Sequence, residues 1–125
     1  MLKSSNPVNT DDLTLVQFPF RQLAIELRQE KGYDSSGKSA RSLVRGESLT
    51  IVLIALKGGA TLHDHPAPGP ATVLVLEGKV EFCGPNGEPK HSLVTLDSVA
   101  FPAGLLHSVH AVEDSLLQVV IGGRT

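Results

Sequence analysis

The chain has 125 residues, a size that suits one domain whose own core buries roughly two thirds of the unfolded surface. A net charge of −2, one tyrosine, four phenylalanines and no tryptophan exclude a basic nucleic-acid surface and leave little for stacking on bases or sugars. One cysteine, Cys83, excludes an internal disulfide and a thiolate zinc cage, and no apolar run approaches the ~20 residues of a membrane span.

Residues 1–17 read as an irregular lead-in. Met1 to Asp12 is polar and has neither the basic start nor the apolar stretch of a secretory signal, so a cytoplasmic protein is expected. Pro19 suits the first turn of a helix. Phe20, Leu23, Ala24 and Leu27 fall at helical spacing among good helix formers, which predicts a short helix ending near Gly32. Gly32 to Ser39 reads as a Gly/Ser loop. Residues 1–36 thus form an N-terminal extension, and residues 37–125 form the rest of a single domain.

From there the period changes to two. Strands are expected at 40–46 and 48–56, the second almost wholly apolar and therefore covered on both faces. A further strand runs through Leu62 to His65, and Pro66-Ala67-Pro68-Gly69-Pro70 is a loop. Residues 71–77 make a Val/Leu strand, turned by Gly78 into Lys79 to Cys83, and Gly84-Pro85-Asn86-Gly87 is a hairpin turn. Strands near 90–96, 98–101, 106–112 and 115–121 complete an all-β sandwich or barrel.

All five histidines lie between His63 and His110. His63 and His65 are two apart on a strand, so regular alternation gives them one face. Two neutral imidazoles on one face can close on a divalent cation. His107 enters a later strand after a Pro/Gly turn. His110 has the opposite parity to His107 and would join the same site only through a bulge. His91 reads as solvated. Cys83 alternates with Lys79 and Glu81 and reads as a partly covered structural thiol. Tyr33 sits in the Gly/Ser loop, where it could cover a barrel mouth. Arg41 and Arg45 share a strand face; facing the interior they could bind a substrate carboxylate bidentately, and facing outward, the preferred reading, they are solvated exterior charges.

The sequence resembles the cupin superfamily. Its first motif is matched by His63, His65 and Gly78, and its second by Pro102, Gly104 and His107 with the family spacing. The departures are definite: Ala71 stands where the family has a glutamate ligand, Lys57 and Leu96 replace the opening glycines, and Ala111 replaces the final asparagine. The resemblance implies a cupin-type double-stranded β-helix, a jelly-roll barrel with a short N-terminal helix. It also implies one divalent transition metal (Fe, Mn, Ni or Zn) on His63, His65 and His107. Ala71, Val73 and Val75 are expected to line an apolar cavity for a small-molecule ligand. Two functions follow: a metal-dependent, dioxygenase-like oxidoreductase acting on a small organic molecule, or a non-catalytic ligand- or metal-binding module. No nucleic-acid or membrane partner is expected. A homodimer is, because Val52, Ile54 and Leu56 form an apolar face that needs a cover and small cupins pair their barrels.

Overall fold

The computed structural model describes residues 7–9 and 15–123; most of the expected lead-in lies outside them. Two helices precede nine strands. Helix α1 spans Phe20–Arg28 and α2 spans Lys31–Ser36. The strands are β1 (Lys38–Arg45), β2 (Leu49–Leu56), β3 (Thr61–Pro66), β4 (Ala71–Glu77), β5 (Lys79–Cys83), β6 (Lys90–Val94), β7 (Ser98–Phe101), β8 (Leu106–Ala111) and β9 (Ser115–Gly122). They form a five-stranded sheet ordered β1-β2-β9-β4-β7 and a four-stranded sheet ordered β3-β8-β5-β6. Each strand pairing is antiparallel. The two sheets face each other across one core, the packing expected of strands that alternate inward apolar and outward polar side chains. Val75, Val80, Ala111 and Leu56 are fully buried in it.

The strand limits match the sequence expectation to within two residues, but the loop expected at Gly32–Ser39 is partly helix. Composition misleads here because Tyr33 is an anchor: its ring is 5% exposed in a second core cluster, and α2 exists to place it there. Gly37 then ends α2 in the left-handed conformation, with φ of 78°, and donates its N–H to the Tyr33 carbonyl at 3.0 Å.

This second cluster lies between the helices and the outer face of the large sheet. Leu23, Ala24 and Leu27 of α1 pack with Leu53, Ala55 and Leu116. Strand β2 is therefore covered on both sides within one chain. The face carrying Val52 and Ile54 was expected to meet a partner; it lines the barrel interior instead, and the helices take the opposite face. This strand supplies no reason for a homodimer. Among the described residues no helix is long and apolar enough to cross a membrane.

Arg41 fastens the helices to the sheet. Its Nη1 donates to Glu26 Oε1 at 2.9 Å and its Nη2 to Glu30 Oε2 at 3.2 Å, while the Ser39 hydroxyl donates to the other oxygen of Glu30. The two carboxylates raise the Arg41 pKa against a partly opposing burial, so the guanidinium is charged at every relevant pH. The expected solvated exterior arginine is thus exterior to the barrel but paired under α1. Arg45 is separated from it by a register shift between Ser42 and Val44, and bonds the Ser42 hydroxyl.

Candidate functional site

The site sits where β3 meets β8. In the lower part of this ladder Thr61 opposes His110 and Leu62 opposes Val109; in the upper part His65 opposes His107 and Pro66 opposes Leu106. Two residues of β3, His63 and Asp64, thus stand against the single Ser108. This is a β-bulge, and it breaks the alternation on which the expected histidine pair depends. Leu62 and His65, three apart, both line the interior, and His63 does not.

His65 and His107 come together, with ring centroids 4.3 Å apart. His107 is 5% exposed and wedged among aromatic rings. Phe82 stacks on it at 5.2 Å with an interplanar angle of 12°, and Phe101 lies at 4.7 Å. Each imidazole is fixed from behind by a backbone carbonyl two residues earlier. His107 Nδ1 lies 2.9 Å from the Leu105 oxygen, and His65 Nδ1 lies 2.9 Å from the His63 oxygen. Burial pushes the His107 pKa below its ordinary value; the nearby His65 adds to this, and the Leu105 carbonyl and Asp64 oppose it. His107 is accordingly neutral near pH 7.

The two rings border a partly open cavity of about 260 Å³, with the buried His107 inside it and the exposed His65 at its solvent side. Val52 and Ile54 of β2, Ala71 and Val73 of β4, and Leu117, Val119 and Ile121 of β9 form one wall. Leu62, Ala67, Pro68, Phe101 and Val109 close the rest. Of the fourteen lining residues only His65 and His107 carry a polar side-chain atom. Val75 was expected in this lining but is fully buried deeper in the core.

The other candidates lie elsewhere. His110 keeps its expected parity: its Nδ1 is 2.8 Å from Thr61 Oγ1, and it does not line the cavity. His91 is exposed on the edge strand β6. Cys83 is buried. Tyr33 covers no mouth of the barrel; it is buried under the helices.

The sequence reading missed the aromatic walls of His107. The alternation Val80, Phe82 on β5 and the position of Phe101 just before the Pro-x-Gly turn were available signals. It also missed the carbonyls that orient the rings, which no sequence pattern encodes.

The donor set can be tested against the expected metal. A catalytic site of this kind takes three protein ligands. Among the described residues no three His, Cys, Asp or Glu side chains stand close enough together to hold an ion. Two imidazoles are in place and the third ligand is not, so the residues as arranged do not fit a three-histidine centre.

No family model matches the sequence, and no curated protein matches it. Solved structures do match. An RmlC-like cupin from Desulfovibrio desulfuricans aligns over 87% of this chain and 97% of its own, with a TM-score of 0.71 and 23% identity. The chain has a cupin fold. A conserved protein of unknown function from Streptococcus pyogenes aligns over 96% of both chains, with a TM-score of 0.67 and 22% identity. KdgF from a Halomonas species aligns over 71% of this chain and 81% of its own, with a TM-score of 0.62 and 24% identity.

Proposed function

We propose that this cupin barrel is a non-catalytic binding module for a small, largely apolar organic molecule anchored at His65 and His107. One observation carries the reading: a preformed cavity with an apolar wall and a single polar point made of two oriented imidazoles. Ligand pockets have this build, an apolar lining that supplies affinity and a few placed polar groups that supply orientation. The dioxygenase-like alternative needs a bound metal and further acid–base groups. Ala71 offers no carboxylate and the remaining lining is aliphatic or aromatic, so the same geometry disfavours it.

The test is a screen of uncharged aromatic and alicyclic fragments by protein-detected NMR, with Ala71→Leu as the control that fills the cavity. Binding that perturbs residues of β4 and β8 and is lost in Ala71→Leu supports the reading. Metal analysis of untagged protein provides the opposing outcome. One equivalent of transition metal, lost in both His63→Ala and His107→Ala, would restore the three-histidine centre and overturn the module.

A further inference from the structure

Resting on the binding reading above, we propose that the site selects its ligand by hydrogen-bond polarity: it takes an apolar ring compound bearing hydroxyl donors, a phenol or catechol, and discriminates against the ether or ketone of the same shape. A carbonyl oxygen can only accept a hydrogen bond. The 2.9 Å contacts of His65 Nδ1 to the His63 oxygen and of His107 Nδ1 to the Leu105 oxygen therefore place a proton on each Nδ1. In a neutral imidazole that assignment leaves Nε2 with a bare lone pair. Each ring, when neutral, then carries its acceptor on Nε2, and both rings line the cavity.

Nothing in the lining offers a donor in return. The other twelve lining side chains are alanine, valine, leucine, isoleucine, proline or phenylalanine. A hydroxyl can donate to one Nε2, and two adjacent hydroxyls can satisfy both. An ether or ketone oxygen meets two lone pairs; against the buried His107 it loses its water without replacement, the costly case for a polar group, while His65 is exposed and leaves it some solvent.

Cavity size sets the scale of the ring. A cavity of about 150 Å³ holds benzene. The 260 Å³ here therefore suits roughly ten ring atoms, a fused bicycle.

The probes are 2-naphthol, 2,3-dihydroxynaphthalene, 2-methoxynaphthalene and naphthalene, titrated in buffer containing a chelator. The chain has no tryptophan and one tyrosine, so naphthalene fluorescence can be followed with little protein background. The expected result is naphthol binding at least roughly tenfold tighter than its methyl ether, and the diol tighter still. His65→Gln brings a donor into the cavity and should reduce the naphthol-to-ether ratio to about threefold or less. The ring tautomers give a second readout that needs no variant and no ligand: long-range ¹H–¹⁵N spectra should show Nδ1–H and an unprotonated Nε2 for both residues. Equal affinity for naphthol and ether, or an Nε2–H tautomer at either histidine, overturns the polarity rule and leaves the binding module standing. Failure of all four probes to bind overturns both.

Discussion

Replacing His107 by phenylalanine separates the two things this ring does. The imidazole fills space between Phe82 and Phe101, and it donates one hydrogen bond to the Leu105 carbonyl. His107→Phe keeps a ring in the stack and removes the bond. The Leu105 oxygen is not orphaned, because it also accepts the Ala67 N–H at 3.2 Å. The loss is therefore that of an ordinary hydrogen bond, about 1 kcal/mol, reduced by the gain from burying a fully apolar ring. His107→Ala empties the space as well and should cost about 3 kcal/mol, as truncation of a buried ring does. Urea denaturation of the three proteins measures both numbers. The pH dependence adds a sign. His107 is held below its ordinary value of about 6.5, so below that pH the unfolded chain takes the proton and the folded chain resists it. Its contribution is fully present above about pH 6.5 and falls away as the pH drops toward the folded pKa. Wild-type stability should decline over that window more steeply than that of His107→Phe. A phenylalanine variant as unstable as the alanine variant, or one with an unchanged acid slope, would refute the assignment of His107 as a neutral, packed ring.

Three other perturbations have definite outcomes. Leu96 is exposed and held at φ of 75°, so Leu96→Gly should raise stability by up to about 1 kcal/mol in thermal unfolding, the relief of left-handed strain less glycine's extra chain entropy. Gly78 has φ of 101°, and a Cβ there would meet the Ser115 hydroxyl and stand 2.5 Å from the Asp114 carbonyl; Gly78→Ala should cost about 3 kcal/mol or yield little soluble protein. The side chains of Arg41 and Glu26 are 16% and 29% exposed and 2.9 Å apart, so a double-mutant cycle of Arg41→Met and Glu26→Gln should return a coupling of about 1 kcal/mol, and a value near zero would mean that this pair adds nothing to the seating of α1.

What could be read beforehand depended on how local its cause was. The strands and the turn at Gly84–Gly87 were legible, because alternation and turn chemistry act over a few residues. The partnership of His65 with His107 was legible through motif spacing. The exclusion of His63 was not: a bulge is one residue of excess against a partner strand, and nothing in His63-Asp64-His65 itself announces it. The α2 helix was hidden by Gly and Ser around one buried tyrosine. The pairing of Arg41 with Glu26 and Glu30 depends on where α1 lands on the sheet, which residues fifteen and eleven positions apart do not reveal. Leu96 shows the converse. Its backbone has a φ of 75°, a conformation that favours glycine, and the sequence has leucine there.

The bulge in β3 also means that the strand is one residue longer than its ladder requires. Removing Asp64 would let His63 oppose Ser108 directly, with Leu62 still against Val109 and His65 still against His107. Leu62 and His65 would keep their places in the lining, but the contact of His65 Nδ1 with the His63 carbonyl, which spans Asp64, would be lost. A change of one residue at this rim would thus leave the same side chains facing the chamber and alter only how the His65 ring is held. The interval between histidines counted along such a strand is consequently a poor guide to which of them meet, and alignments through this stretch are safer anchored on Leu62 and His65 than on the dipeptide between them.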